Sequence, residues 1–147
     1  MTMRAGPKLS VAGGTWGEKK ADEEVTGDTA CLFANRSDCF YALVCDGMGS
    51  GREASVTAQI SALFLEKLLS VSTAAGAALN LLNGFLRART GECSATVDLC
   101  EIDMITGEAH FIKCGAAPSY LLRGEQLFRI ASGTMPLGIL REVSAEE

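Results

Sequence analysis

Apolar and polar positions along this chain change period twice, dividing it into strands, then helices, then strands. Thr29 to Ala34 and Asp38 to Cys45 are apolar stretches with aromatic residues, separated by Asn35-Arg36-Ser37. That pattern predicts two antiparallel strands joined by a hairpin turn. From Arg52 to Val71 the apolar residues Val56, Ile60, Leu63, Phe64 and Leu68 recur three or four apart, the spacing of one helix face, with Ser50 placed to cap it. A second helical pattern, Ala75, Ala78, Leu79, Leu82, Phe85 and Leu86, runs to Arg89, with Gly91 as its stop. Strand-like stretches then return over Ala95 to Asp103, Glu108 to Cys114, Ser119 to Arg123 and Gln126 to Ile130, with turns at Thr106-Gly107 and Gly124. These four are expected to form a meander.

Strands segregated from helices predict the α+β class, with helices packed on antiparallel sheets rather than wound through a βαβ fold. Lys8 to Trp16 is compatible with one more short strand, and Gly17 to Glu24 reads as a charged loop. Asp28 and Asp46 fall at the outer ends of the first two strands, opposite the turn. The pairing therefore brings two carboxylates together across 18 positions of sequence.

Composition narrows the picture. With 147 residues, 48% hydrophobic and 21% charged, the chain is expected to fold as one domain over residues 7–147. A net charge of -5 and the lack of a Lys/Arg cluster argue against a nucleic-acid partner. No apolar run approaches the roughly 18 residues that cross a bilayer. The N-terminal MTMRAGPK lacks the apolar stretch of a secretory signal, so a cytoplasmic location without membrane contact is expected. The six cysteines sit mostly in apolar stretches with no C-x-x-C spacing, which predicts buried, reduced thiols. His110, the only histidine, alternates with Ile112 and Cys114 and is expected to be a partly buried structural residue. No Ser-His-Asp or Cys-His arrangement is supported.

The chemistry concentrates at Asp46-Gly47-Met48-Gly49-Ser50-Gly51, where an apolar strand ends, opposite Gly27-Asp28-Thr29. Two carboxylates at one sheet end repel unless a cation lies between them, and Mg²⁺ or Mn²⁺ accepts carboxylate, carbonyl and water oxygens. Glycine at position 47 lets the backbone carbonyl turn toward the same ion. Such an ion supplies the attacking water and neutralises phosphoryl charge, so no protein nucleophile is required. The bland alternatives are an ordinary strand-to-helix turn with an acidic cap and, for Asp28, an Asx-turn. Lys19, Lys20 and Arg52 are candidates for contacting a substrate phosphate, the alternative for the Lys-Lys pair being a solvated loop. Gly115-Ala116-Ala117-Pro118 reads as a strand connection rather than a phosphate cradle.

These segments carry a family resemblance. EVTGDT at 24–29, CDGMGSGREA at 45–54, TVDLCEIDMITGEAHFIKCGAAPSYLLRG at 96–124 and MPLGIL at 135–140 resemble, in order and spacing, the phosphatase domain of the stage II sporulation protein E family, a bacterial branch of the 2C-like metal-dependent phosphatases. The resemblance implies an αββα sandwich that hydrolyses phosphoserine or phosphothreonine on a protein, with a phosphorylated anti-sigma-factor antagonist as partner. It implies two metal ions, Mn²⁺ or Mg²⁺, with Asp46 bridging them, Gly47 giving a carbonyl and Asp28 binding directly or through water. It also implies a regulatory role for the helix over 52–71. Family members continue past MPLGIL to further metal-binding carboxylates, whereas this sequence stops at Glu147. A C-terminally truncated domain with weak or no activity of its own is therefore expected. Homodimer formation is not readable from the sequence.

Two other classes compete. A noncatalytic phosphoprotein-binding module, a degenerate phosphatase, would keep the fold without the chemistry. An ATP-binding kinase of the histidine-kinase-like type shares the Asp-x-Gly-x-Gly turn, but expects a helix bearing an Asn metal ligand where this chain has a strand pair bearing Gly27-Asp28. No Lys-Ser or Lys-Thr comes after the glycines, so a P-loop is excluded.

Overall fold

In the computed structural model, residues 6, 8–19, 24–90 and 93–143 are described. Strands β1 (Asp28–Ala34), β2 (Cys39–Gly47), β3 (Ala95–Asp103) and β4 (Ala109–Cys114) form a four-stranded antiparallel sheet in the order β1-β2-β3-β4. Helices α1 (Gly51–Ser70) and α2 (Ala75–Ala88) intervene between β2 and β3. Strands β5 (Ser119–Arg123) and β6 (Gln126–Ile130) form a separate hairpin. The expected meander is thus divided: only β3 and β4 join the first sheet. The break lies at Gly115, whose φ of 65° is left-handed and where a Cβ would collide with Pro136.

The core lies between the sheet and α1. On the sheet it is built from alternate residues, Tyr41, Leu43 and Cys45 on β2 and Val97 and Leu99 on β3, joined by Ile112 and Cys114 on β4. Period-2 alternation points each set to one face. Helix α1 meets them with Ala54, Ala58, Ala62, Leu65 and Leu69. This differs from the face predicted by apolar spacing: Val56 and Leu63 are exposed, and Ile60, Phe64 and Leu68 only partly buried. The reason is size, since alanines and serines on the inner face let the helix lie close on the sheet. The bulkier Phe64 instead stacks on Phe85 of α2, ring centroids 5.5 Å apart. Ser50 does occupy the N-cap of α1, but its side chain makes no capping hydrogen bond.

The segment 8–19 forms no strand. Its Lys8 and Leu9 amides donate to the carbonyl of Met104, and Gly13 packs against Leu32 on the sheet face away from the helices. After β6 the chain returns to the core. Leu137, buried, exchanges two backbone hydrogen bonds with Ala95. Asn83 of α2 fastens the residues just beyond Leu137: its Nδ2 donates to the carbonyls of Leu140 (3.1 Å) and Arg141 (3.3 Å), and its Oδ1 accepts from the Gly138 amide (2.8 Å). The MPLGIL segment is thus a docking strap for α2.

All six cysteines are free thiols, but only Cys45 and Cys114 are fully buried; the others are half-buried. Burial, with the Glu66 carboxylate adding to it, raises Cys31 to about 11, and burial raises Cys114 to about 11. At neutral pH these thiols are protonated, and so poor nucleophiles and ligands. His110 is exposed rather than partly buried, because it lies on β4 opposite Glu101, near the strand end that the helices leave open.

Candidate metal centre

Antiparallel pairing places Asp28 directly opposite Asp46. Carboxylates in that relation lie about 4.5–5.5 Å apart at Cβ and destabilise the pair of strands by repulsion. Both side chains are solvent-exposed, on the sheet face away from the helices. The amide of Asp28 donates to Thr26 Oγ1 (3.1 Å), and the Gly47 amide to the Gly27 carbonyl (3.1 Å), fixing the two strand ends to each other.

Two glycines shape this end of the strands. A Cβ on Gly47 would lie 2.0 Å from the carbonyl oxygen of Ala54, so the first turns of α1 rest directly on the strand end. A Cβ on Gly27 would meet Asp46 Oδ1 at 3.6 Å and the Gly47 carbonyl oxygen at 3.8 Å, so a carboxylate and a carbonyl converge beside this bare backbone. They border a recess of about 160 Å³ lined by Glu18, Thr26, Gly27, Asp28, Asp46 and Gly47, with Gly49 and Ser50 at its edge. A liquid water occupies about 30 Å³. The recess therefore has room for one ion and several waters.

The donor set is all oxygen, two carboxylates and a carbonyl, which suits a hard cation such as Mg²⁺ or Mn²⁺ and not a thiolate-preferring metal. Among the described residues, no group of three or more His, Cys, Asp or Glu is gathered to hold a metal. Glu18 lines the recess and sequence reasoning missed it, since nothing separates it from its charged neighbours in the loop. Lys19 is exposed and does not line the recess, Lys20 lies outside the described residues, and Arg52 lines a separate cavity on the helix side of the 47–50 loop.

A second polar cluster was also not anticipated. Lys113, only 1% exposed, ion-pairs with Asp98 across β3 and β4 (2.7 Å) and donates to the Ala117 carbonyl and Ser119 Oγ, each at 2.8 Å. Ser119 Oγ in turn donates to Asp98. This cluster anchors the root of the β5–β6 hairpin. It gives Gly115-Ala116-Ala117-Pro118 the connecting role expected of it.

An antiparallel sheet with a helix pair on one face and paired aspartates at one end is the architecture of 2C-type protein phosphatases, and solved structures of that class superpose on it. The PP2C phosphatase domain of the cell fate determinant SpoIIE from Bacillus subtilis matches with a TM-score of 0.73 and 29% identity, over 83% of this chain and 37% of that one. The RsbU and RsbW domains of a Mycobacterium tuberculosis protein match in fold, with a TM-score of 0.73 and 23% identity, over 86% of this chain and 36% of that one. The sequence profile of Stage II sporulation protein E (SpoIIE) matches residues 36–147, and the chain belongs to that family. The B. subtilis stage II sporulation protein E is 31% identical over 123 residues; the match takes in 83% of this chain and 15% of the relative's length. Among the described residues, no helix is long and apolar enough to cross a membrane.

Proposed function

We propose that this chain carries the Asp28/Asp46 part of the active centre of a metal-dependent protein phosphatase, acting on phosphoserine or phosphothreonine. The observation that carries the reading is the register itself, which sets Asp28 against Asp46 beside the Gly47 carbonyl. Asp46, Asp28 and that carbonyl would hold Mn²⁺ or Mg²⁺, which when bound supplies an activated water and charge neutralisation for phosphoryl transfer to it. The chain's own part is geometric. Strand pairing fixes the carboxylates, and the close seat of α1 on Gly47 fixes the carbonyl. The exposed recess leaves one side open to a phosphorylated side chain. A phosphorylated anti-sigma-factor antagonist is the partner this reading favours, supported by the fold shared with a protein whose domains are named RsbU and RsbW. Two ions, and a cytoplasmic setting for the reaction, belong to the same reading.

One observation favours a noncatalytic phosphoprotein-binding module instead: the absence, among the described residues, of a group of three metal-binding side chains. Calorimetric titration of Mn²⁺ into the chain and into Asp46→Asn separates the two. The phosphatase reading expects an affinity loss of about tenfold or more in the variant, the effect of losing a charged ligand. Superimposable isotherms would leave the binding module.

A further inference from the structure

The loop 47–50 has two sides, and only one faces the aspartates. On the other, among the start of α1, the end of α2 and the entry to β3, lies a cavity of about 880 Å³ whose lining includes Gly49, Ser50, Arg52, Glu53, Arg89 and Thr90. That volume is in the range of small-ligand sites, about 300–1,000 Å³. Its chemistry is set by Arg89. The guanidinium carbon lies 6.0 Å from the centroid of the Phe85 ring, and its Nη1 is shielded from solvent with no hydrogen-bond partner among the described residues. Arginine has only donors to offer, and shielded polar atoms are nearly always paired. The partner that satisfies Nη1 must be an acceptor, and a charged donor prefers an anionic one, bound in a fork.

The remaining lining agrees. Arg52 brings a second guanidinium, and Thr90 and Ser94 bring hydroxyls. Ser50 leaves its side chain uncommitted to the cap of α1. Among the described residues, Glu53 is the one carboxylate in the lining, against the two guanidinium groups of Arg52 and Arg89.

We propose that this cavity binds an oxyanion, a phosphate or carboxylate group, through Arg89 with Arg52 in support. The site is distinct from the metal centre and does not depend on it. Because Gly49 and Ser50 line both recesses, an occupant of the cavity rests against the same loop that presents the Gly47 carbonyl. The oxyanion has two sources, a free small phosphate or a phosphorylated or acidic side chain on a protein.

The test is NMR of the arginine side-chain N–H signals in the 147-residue chain, kept metal-free with chelator, while inorganic phosphate and, separately, a phosphoserine peptide with neutral flanks are added. A saturable shift of the Arg89 signal is expected, with affinity lowered about tenfold or more in Arg89→Gln, less in Arg89→Lys and about threefold in Arg52→Gln, as for loss of charge-assisted hydrogen bonds. Tighter binding of the peptide assigns the site to a protein-borne group, and equal or tighter binding of phosphate to a free ion. The proposal is overturned if the wild-type Arg89 signal does not move, moves without saturating, or responds identically in a folded Arg89→Gln variant. Should that variant not fold, the wild-type signal and the exposed Arg52→Gln decide. Since no metal is present and no turnover is read, failure here leaves the phosphatase reading untouched, and failure of the Mn²⁺ titration leaves this one.

Discussion

The two faces of the four-stranded sheet are made by the same strands and obey opposite rules. Toward the helices, Tyr41, Leu43, Cys45, Val97, Leu99, Ile112 and Cys114 are at most 4% exposed. On the other side Leu32, Phe40, Ala42, Cys100, Ile102 and Phe111 are half-buried and Val44 is 44% exposed, and the one fully buried side chain described there is the charged Lys113. One face buries area and supplies stability; the other carries the aspartate pair and the ionic root of the hairpin. The proposed metal centre sits where burial is incomplete, because hydrated carboxylates and a cation between them would need water, which a closed core denies them.

The sharpest way to break this contrast is to remove the same kind of group from each side. Leu99→Ala, on the helix face, is expected to cost about 2–5 kcal/mol by urea denaturation, the lost transfer free energy plus a cavity. Val44→Ala, on the other face, should stay below about 1 kcal/mol, since much of that side chain is already in water. Similar losses would mean that the outer face is as well packed as the inner. Lys113→Met comes next. It strands the Asp98 carboxylate against the sheet and should destabilise by about 3 kcal/mol, while Lys113→Met with Asp98→Leu recovers most of that, because an apolar pair leaves no uncompensated charge. No recovery in the double variant would make the cluster something other than an ion pair. The smallest effect is at the proposed metal centre. Asp28→Asn relieves the carboxylate opposition and should raise metal-free stability by about 0.2–1 kcal/mol. In the same variant the stabilisation that Mn²⁺ confers on the wild type in a thermal melt should shrink. Loss of stability without metal would show Asp28 to be structural.

Most of the secondary structure was legible because each element carries its own period. Strands β3, β5 and β6 have the expected bounds, and the helix ends fall within a residue of those expected. The pairing of Asp28 with Asp46 was legible too, since a short turn fixes register. Three things were not. Apolar spacing in α1 selects the residues that are large, whereas the sheet selects those small enough to let the helix approach; Ala54 and Ala58 won over Val56 and Leu63. Alternation does not say which strand pairs with which, so the departure of β5 and β6 from the sheet was invisible; it depends on Gly115 meeting Pro136, 21 positions away. The residues 8–16 have strand-like composition but pack across the sheet face instead of joining an edge, held by the Met104 carbonyl. In the two recesses, Glu18 and Arg89 gave no signal because their positions come from tertiary proximity, which a charged loop and a helix end do not announce.

The Asn83 bracket has a consequence for how the molecule assembles. Its three partners lie 55 to 58 residues further along the chain, and the Ala95–Leu137 bridge it supports closes a loop that holds β3 through β6. Contacts of that reach form after the local ones, since chain entropy must be surrendered before they repay it. The strap over 137–141 is thus expected to latch only after the local contacts within α2 and within the β3–β4 and β5–β6 hairpins have formed. Asn83→Ala is therefore expected, in stopped-flow denaturant jumps, to speed unfolding more than it slows folding, which would make the bracket a determinant of how long the native state lasts.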